Sequence, residues 1–324
     1  MDTPSFKEDH ISQIPALQFL QKLGYKYLSQ DEALQLRGSK TSNVILEDVL
    51  RKQLKEINSE KRISSSKTTY ISDSNIENGI RVLKDLPMNE GYISACETAY
   101  NLITLGKAFE QNVDGDKKSF TLQYIDWKNP ENNVFHVTEE YSVMRSTSKD
   151  HYRPDIVLFV NGIPLCIIEC KRPDMKVPLA QAISQQLRSQ QEDGIRSLYV
   201  YAQVLLSLSC SHALYATNGT PEKFWSKWQE KFETTEAENQ YKNDLQEIKN
   251  QQFTKEQKNK LFDGRFRYVG HYFDALESET ILPTVQDEYL YGLCRPARLL
   301  DIIFNFILFD DGEKDRPVSA VFCH

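Results

Sequence analysis

Asp155, Glu169 and Lys171 are charged residues inside a stretch whose composition otherwise predicts buried β-strands, RPDIVLFVNGIPLCIIECKRP at 153–173. Two carboxylates in a low-dielectric site repel each other unless a cation joins them. Together with a main-chain carbonyl they form the hard oxygen site that Mg²⁺ prefers, which leaves positions for water and phosphate. A lysine beside such a site can orient or activate a water molecule and hold a phosphate oxygen. The residue types therefore favour metal-assisted attack on a phosphodiester.

The turn between the two predicted strands decides whether these side chains meet. Glu169 and Lys171 are two residues apart, so they project from the same face of a strand. The Asn-Gly pair at 161–162 marks a hairpin turn. A two-residue turn there puts Asp155 on the opposite face from Glu169, whereas a three-residue loop at 161–163 pairs the two acids on one face. We predict the odd-length loop, or an equivalent bulge nearby.

The composition of the chain is that of an ordinary globular protein. Its 324 residues are 40% hydrophobic and 26% charged, which is enough for one large domain or two smaller ones. It has no apolar run of about 18 residues or more, so no membrane span is expected, and because its N-terminus is polar and acidic, no signal peptide is expected either. Six cysteines without CxxC spacing favour a reducing cytoplasm.

The charge of the chain bears on its possible partners. A net charge of −7 argues against a general nucleic-acid coat, because duplex binding depends on cationic contacts with phosphate. Local excesses of Lys and Arg occur at 37–67 and at 249–267. We interpret both segments as solvated helix faces or charged loops.

The residue pattern along the chain predicts a mixed α/β domain with a central sheet that is at least partly antiparallel. Helices are predicted at 10–24, 41–57, near 75–86, near 93–110, at 178–191, within the polar segment 222–262 and at 296–309. Strands are predicted at 119–127 and 134–144, twice within 153–173, and at 197–209 and 212–217, with a loop at 58–74. The helix at 296–309 is more apolar than one amphipathic face requires. We therefore expect it to dock on another surface, such as sequence that follows elsewhere.

The spacing Asp-x13-Glu-x-Lys on a hairpin, with Pro154 before the first acid, resembles the PD-(D/E)xK nuclease motif. The run at 153–173, together with AISQQLRSQ and LCRPARLLDIIFNFILFDDG, resembles the N-terminal nuclease domain of the R (restriction) subunit of type I restriction-modification enzymes. The resemblance covers roughly residues 1–312. It implies a PD-(D/E)xK restriction-endonuclease-like mixed sheet flanked by helices, with an N-terminal helical part and a C-terminal helical extension.

The resemblance also implies roles for the residues of the motif. Asp155 and Glu169 would bind metal, with the main-chain carbonyl of Cys170 as a further ligand. Lys171 would be the catalytic amine. The implied cofactor is Mg²⁺, for which Mn²⁺ is expected to substitute.

Relatives carry a further Gln-x-x-x-Tyr element on the next helix, which supports the metal site or grips DNA. Gln186 is the matching catalytic candidate, although Gln190 stands at the tyrosine position. Gln185 is a competing alignment. An acidic residue on the first helix assists some members of the superfamily, and Glu8 is the candidate for it.

The implied function is Mg²⁺-dependent hydrolysis of phosphodiester bonds in foreign, unmodified double-stranded DNA. The implied partners are the methyltransferase (M) and specificity (S) subunits of a type I restriction complex. The chain contains no GxxxxGK[ST] sequence, so ATP is expected to act only through a motor domain that this chain lacks. We expect a fragment or truncated product that is cytoplasmic and has no membrane contact.

The expected domain organisation has an endonuclease domain at 1–280 and a linker helix at 281–324 that leads toward the motor. Within the endonuclease domain we expect a helical part at 1–112, a catalytic α/β core at 113–220 and a helical insertion at 222–262.

Two less specific interpretations stand beside the nuclease. The acids and the lysine could form a structural ion network at the sheet edge. Alternatively, the chain could be a non-catalytic docking or DNA-binding module that joins the motor to the methyltransferase core. The intact set of Asp155, Glu169 and Lys171 favours the enzyme, since a decayed module is expected to lose at least one of them.

Several residues near the motif have both a functional and a structural interpretation. Three arginines either contact phosphates or are ordinary surface residues: Arg153, Arg172 and Arg188. His136 is interpreted as structural, and so is His151, with a position facing the site as the alternative. Trp225 and Trp228 are interpreted as core anchors.

Overall fold

A computed structural model describes residues 9–64, 67–174, 176–276, 279–310 and 319–322 of the chain. Its α-helices are α1 (Ile14–Lys22), α2 (Gln30–Leu36), α3 (Glu47–Ile57), α4 (Asp73–Lys84), α5 (Tyr92–Leu105), α6 (Pro178–Ser189), α7 (Arg196–Tyr199), α8 (Thr235–Asn250), α9 (Lys255–Phe262), α10 (Gly270–Leu276), α11 (Val285–Cys294) and α12 (Pro296–Phe306). A π-helical turn at Asp9–Gln13 precedes α1. None of the helices in the described ranges is long and apolar enough to cross a membrane.

The strands form one large sheet and several two-stranded ribbons. They are β1 (Lys26–Tyr27), β2 (Lys61–Ser64), β3 (Lys67–Thr69), β4 (Lys107–Val113), β5 (Asp116–Leu122), β6 (Phe135–Glu139), β7 (Val143–Met144), β8 (His151–Tyr152), β9 (Ile156–Val160), β10 (Ile163–Cys170), β11 (Val204–Leu208), β12 (Ala213–Ala216), β13 (Ile307–Asp310) and β14 (Ser319–Phe322). The ribbons pair β2 with β3, β4 with β5, β7 with β8 and β13 with β14.

A six-stranded mixed sheet forms the centre of the molecule, in the order β1-β6-β9-β10-β11-β12. β9 pairs antiparallel with β6 and β10, β11 pairs parallel with β10 and antiparallel with β12, and β1 pairs parallel with β6. Every residue of β9, β10 and β11 is buried, which is why these strands have continuous apolar sequences instead of alternating ones. The predicted fold class is confirmed: the sheet is mixed, flanked by helices and consistent with a PD-(D/E)xK nuclease fold.

The hairpin turn between β9 and β10 has two residues and not three. Val160 pairs with Ile163. Asn161 and Gly162 both have positive φ, 52° and 85°, as a type I′ turn requires. A Cβ at Gly162 would lie 2.5 Å from the carbonyl oxygen of Leu46, so a larger residue does not fit there. The predicted three-residue loop is therefore wrong.

A bulge just after this turn nevertheless restores the predicted register. The pairing shifts after Pro164, and beyond the shift Ile168 pairs with Ile156. Pro164 has no N–H to donate to the ladder, which is the reason that prolines in sheets are confined to edges and bulges. Because Ile168 pairs with Ile156, the next pair in the same register is Glu169 with Asp155, and their side chains lie on the same face of the sheet. The alternative prediction of an equivalent bulge is thus confirmed.

The N-terminal 112 residues are mostly helical, but they also contribute strands. β1 joins the central sheet, and the predicted loop at 58–74 contains the β2–β3 hairpin, whose polar residues show no alternating pattern. The helix predicted near 93–110 ends at Leu105, because Gly106 has a φ of 76° and the chain then continues as β4. The predicted loop and the predicted end of this helix are therefore wrong.

Two strands also lie differently from the prediction. The strand predicted at 119–127 is β5, which ends at Leu122 and pairs with β4 in a separate ribbon. The strand predicted at 197–209 begins only at Val204, because residues 196–199 form α7. A continuous apolar sequence is compatible with either a buried strand or a buried helical turn, so periodicity alone does not separate them.

The C-terminal helix α12 docks on the core of this same chain. Leu299, Leu300, Ile302 and Ile303 of this helix are each at most 2% exposed. The ring of Phe304 lies 5.1 Å from that of Trp127, centroid to centroid. The docking surface expected for this apolar helix therefore lies, at least in large part, within the chain itself.

Candidate active site

Asp155 lies just before β9, beside the end of β10. Its side-chain Oδ2 accepts a hydrogen bond of 2.7 Å from the N–H of Cys170. The amide of Gln13, in the turn before α1, donates to the main-chain carbonyl of Asp155 (3.0 Å), and the N–H of Glu140 donates to it as well (3.0 Å). The acid is thus tied to the neighbouring strands and to the start of the first helix, which holds its carboxylate in one position.

The ammonium group of Lys171 lies among three oxygens of the motif. Its Nζ is 2.8 Å from the carbonyl oxygen of Cys170, 3.5 Å from Oδ2 of Asp155 and 3.9 Å from Oε2 of Glu169. Glu169 is 1% exposed, and Asp155 and Lys171 are each 8% exposed. The bulged hairpin therefore brings the predicted acids and amine together. The three oxygens that the resemblance assigns to a metal converge on one positive charge.

Cys170 meets this cluster through its main chain. Its thiol is fully buried, and burial, followed by the charge of Asp155, raises the pKa of the Cys170 thiol well above its usual range. The thiol therefore stays protonated at neutral pH and is a poor metal ligand. The carbonyl oxygen of Cys170 is the atom that points at the ammonium group.

A cleft of about 390 Å³ opens onto Glu169. The segment 151–154, which precedes β9, and three residues of α6 line it: Gln185, Arg188 and Ser189. α6 is placed there because it packs against β10 and β11 and begins with Pro178 at its first position. The buried acid is therefore reachable from outside through a polar opening.

Gln186 does not line this cleft. It is fully buried, and its side-chain amide donates to the carbonyl oxygen of Leu206 in β11 (2.7 Å). Its position follows from helical periodicity, since Gln186 lies on the same stripe as the buried Ala182 and Ile183. Gln185, the competing alignment, is the glutamine whose side chain reaches the cleft.

Gln190, at the position where relatives have tyrosine, makes structural contacts. Its side-chain Oε1 accepts from the N–H of Gly219 (2.9 Å), and its Nε2 donates to the carbonyl of Gln186 (3.3 Å). It is 5% exposed and joins α6 to the segment after β12. Glu8 lies outside the described residues.

The sequence model of a known family, described as "Type I restriction enzyme R protein N terminus", matches residues 5–231. The chain belongs to this family. The match includes the bulged hairpin, α6 and the cleft between them. The resemblance recognised in the sequence is thereby confirmed.

Two curated relatives match almost the whole of this R-protein N-terminal chain. The "Type I restriction enzyme HindI endonuclease subunit" of Haemophilus influenzae is 26% identical over 320 residues, which are 97% of this chain and 25% of that protein. The "Putative type I restriction enzyme MjaIXP endonuclease subunit" of Methanocaldococcus jannaschii is 25% identical over 312 residues, which are 95% of this chain and 26% of that protein. The chain thus spans about a quarter of the length of these relatives.

The two histidines near the motif lie in different places in this R-protein domain. His151 lines the cleft, and its Nε2 is 2.8 Å from the hydroxyl of Thr41. His136 is half-buried in β6 and does not line the cleft. Burial, assisted by the charge of Lys26, lowers the pKa of His136 to about 4, so the ring is neutral at pH 7.

Both tryptophans of the segment after β12 are core anchors, as predicted. Trp225 is 7% exposed, and its Nε1 donates to the carbonyl of Thr220 (3.2 Å). Trp228 packs edge to face against Tyr215, with 5.7 Å between ring centroids.

Some residues around the site escape sequence reasoning. Gln13 supports Asp155 from 142 residues away, and no local pattern could reveal this contact. Tyr199 is fully buried, and burial, followed by the charge of Glu169, raises its pKa well above the usual range. Ser189 follows Gln186 by three residues on one side of α6, so a helical projection of the motif could have found it.

A metal ion at this site would depend on few protein side chains. Within the described ranges, no group of three or more His, Cys, Asp or Glu side chains is placed to hold a metal ion. The donors that fit are the carboxylates of Asp155 and Glu169 and the carbonyl of Cys170, with water or phosphate as the remaining ligands. Mg²⁺ is suited to such a set, because it prefers hard oxygen ligands and keeps several of its waters.

Proposed function

We propose that this domain is the Mg²⁺-dependent endonuclease of a type I restriction R subunit, and that it hydrolyses phosphodiester bonds of foreign, unmodified double-stranded DNA. One observation carries the proposal. Oxygens of Asp155, Glu169 and Cys170 converge on the ammonium of Lys171 beside an open cleft. Membership of the R-protein family and the names of two relatives as endonuclease subunits support it.

The proposed cofactor is Mg²⁺, with Mn²⁺ as a substitute. Asp155 and Glu169 would hold the ion with their carboxylates and Cys170 with its carbonyl. When bound, the ion would neutralise charge on the phosphate and lower the pKa of a bound water molecule. The chain itself holds the two acids in position. The N–H of Cys170 donates to one carboxylate oxygen of Asp155 at 2.7 Å, and burial limits the reorganisation of both acids.

Lys171 is the proposed catalytic amine. An ammonium group has three N–H donors, and in Lys171 one of them is directed at the carbonyl of Cys170. We expect the group to hold a phosphate oxygen or to orient the attacking water. Gln185, which lines the cleft, is better placed than Gln186 to give polar support to a bound phosphate.

The larger assembly is also a proposal. Both relatives are about four times as long as their matched regions, which are 25% and 26% of their lengths. We propose that an ATP-dependent motor domain outside residues 1–324 and the M and S subunits of a restriction complex bring DNA to this cleft. ATP would then serve the motor and not the chemistry at Lys171.

The decisive test uses the assembled restriction complex with Lys171→Ala in its R subunit. We expect DNA cleavage to fall by about 10²- to 10³-fold or more, because a charged donor to the reacting phosphate is lost, while ATP consumption stays at the unmodified level. Cleavage is measured by the conversion of supercoiled plasmid, and ATP consumption by phosphate release. Lys227→Ala is the matched control, since Lys227 is exposed and lies after β12, outside the cleft lining.

Two outcomes would contradict the proposal at different levels. Cleavage at the normal rate by the Lys171→Ala complex would remove the lysine from the mechanism. Normal cleavage by the Asp155→Asn and Glu169→Gln complexes as well would leave the docking module as the function of this domain.

A further inference from the structure

Two arginines stand at the mouth of the cleft, on separate elements. Arg153 precedes Pro154 in the segment that leads into β9, and Arg188 lies near the end of α6. Both residues are exposed, and both line the cleft that Glu169 also lines. Two guanidinium groups therefore lie at an opening that leads to the buried Glu169.

Neither guanidinium group has an ionic partner in the part of the chain that the structure describes. Neighbouring arginines are different: Arg145 is 2.6 Å from the carboxylate of Asp193, and Arg172 is 3.5 Å from that of Asp174. Paired arginines of this kind have their charge compensated within the protein. The charges of Arg153 and Arg188 are available to an anion, which matters in a chain with a net charge of −7.

A stack of side chains orients Arg188. Its guanidinium carbon is 5.9 Å from the centre of the Tyr152 ring, and that of Arg145 is 4.8 Å from the same ring. Arg145 is held in turn by the carbonyl and the carboxylate of Asp193, at 2.8 and 2.6 Å. Tyr152 is thus fixed from one side and supports Arg188 by a cation–π contact. Such preorganisation lowers the entropy lost when the arginine binds a ligand.

The chemistry of the site selects the ligand of these arginines. Guanidinium groups bind phosphate with two parallel hydrogen bonds, and a DNA strand carries a phosphate at every nucleotide. We propose that Arg153 and Arg188 form a phosphate clamp that holds the DNA strand on either side of the phosphate to be cleaved. This inference rests on the proposed nuclease function, and it gives the domain backbone binding without base readout.

The test measures the affinity of the full chain for a fluorescent 30-base-pair duplex by polarisation, in EDTA, between about 25 and 200 mM KCl. Each phosphate contact contributes about 0.9 to the slope of log K against log[salt]. We expect Arg153→Ala and Arg188→Ala each to weaken binding about fivefold and to lower the slope by about one, and the double variant to lower it by about two. Arg188→Lys is expected to restore the slope, because it keeps the charge.

Two controls separate the clamp from the chemistry. Arg81→Ala removes an exposed arginine of α4 that hydrogen-bonds to Asn78 of its own helix, and it is expected to leave the slope unchanged. Glu169→Gln is expected to keep the full slope and to stop cleavage in the assembled complex.

Each result bears on one of the two proposals. An unchanged slope in the double arginine variant, or no duplex binding by the unmodified chain at the lowest salt, would overturn the clamp and leave the nuclease proposal standing. Normal cleavage with Glu169→Gln would overturn the nuclease proposal instead. If Arg81→Ala lowered the salt slope as much as Arg153→Ala or Arg188→Ala, the effect would come from overall positive charge and not from a clamp.

Discussion

Two buried clusters each combine a lysine with acidic side chains, but their geometry differs. In the first, Lys249 of α8 lies 2.7 Å from Oδ2 of Asp287 in α11, and the same oxygen accepts from the N–H and the hydroxyl of Thr284, both at 2.8 Å. In the second, one ammonium is shared by two acids at 3.5 and 3.9 Å. The first cluster balances one acid with one amine through short contacts. The second places two acids around one lysine at longer distances.

The difference is consistent with the proposal that the second cluster is a ligand site, whereas the first is a structural ion pair. The side chain of Asp287 is fully buried, and its contacts hold the polar helix α8 on the core. Glu169, one of the two acids near Lys171, lines a cleft, and the ammonium lies 3.5 Å from Asp155 and 3.9 Å from Glu169. Two buried carboxylates beside an opening repel each other unless a cation joins them. This comparison favours the proposed ligand site over a purely structural ion network.

The largest expected difference between the two clusters is in the free energy of unfolding that is lost when an acid of each cluster is replaced by asparagine. Asp287→Asn leaves the ammonium of Lys249 buried without its counter-charge, so we expect the free energy of unfolding to fall by about 3–5 kcal/mol. Asp155→Asn leaves Lys171 with Glu169 and the Cys170 carbonyl and relieves repulsion between two acids, so we expect a loss below about 1 kcal/mol. Urea unfolding of the full chain measures both. Equal losses in the free energy of unfolding would mean that both clusters act as structural ion pairs.

A metal response is the next largest expected effect. If the two acids near Lys171 form a cation site, Mg²⁺ at a hundred times its Kd stabilises the folded chain by about 2.7 kcal/mol. The shift in thermal unfolding should vanish in Asp155→Asn. It should persist in Asp48→Asn, which removes an exposed acid of α3. The absence of any shift with Mg²⁺ or Mn²⁺ in the unmodified chain would contradict the metal assignment.

The smallest expected effect concerns a fourth buried acid, Glu139 of β6. Burial raises the pKa of Glu139 above its ordinary value of 4.5, although the hydroxyl of Tyr27 partly offsets this. Between the ordinary and the raised pKa the folded protein keeps a proton that the unfolded chain has lost, so this group lowers stability as pH rises. Glu139→Gln should therefore raise the melting temperature slightly at pH 7, and the gain should shrink at pH 4. If the melting temperature rose equally at both pH values, the gain would come from better packing and not from removal of the Glu139 charge.

Sequence reasoning succeeded where a property depends on neighbouring residues. Glu169 and Lys171 share a face because side chains alternate along any strand, and the Asn-Gly pair at 161–162 predicts a tight turn in any hairpin. It failed where short polar segments have little apolar patterning. The β2–β3 hairpin has no apolar alternation. α2 buries a single residue, Ala33, and only its capping box, Ser29 with Glu32, could have revealed it.

The two glutamines of α6 show the same limit on a finer scale. The motif alone does not distinguish Gln185 from Gln186, because adjacent helical residues differ only by a rotation of about 100°. The distinction depends on which side of α6 meets β11. That packing buries Gln186 against Leu206 and leaves Gln185 at the cleft.

The sequence by itself predicted the chemistry of the site, since two acids in apolar strands repel each other unless a cation joins them, whatever the fold around them. It also determined the mixed α/β class, because the order of predicted helices and strands along the chain leaves few other ways to bury their apolar faces. Only the tertiary structure showed that the turn has two residues and that the predicted bulge follows Pro164. It alone also brought Arg153 and Arg188 to one opening. The place of the bulge depends on how the strands pair, and the meeting of the arginines depends on packing between segments that are distant in sequence. Local propensity carries no information about either.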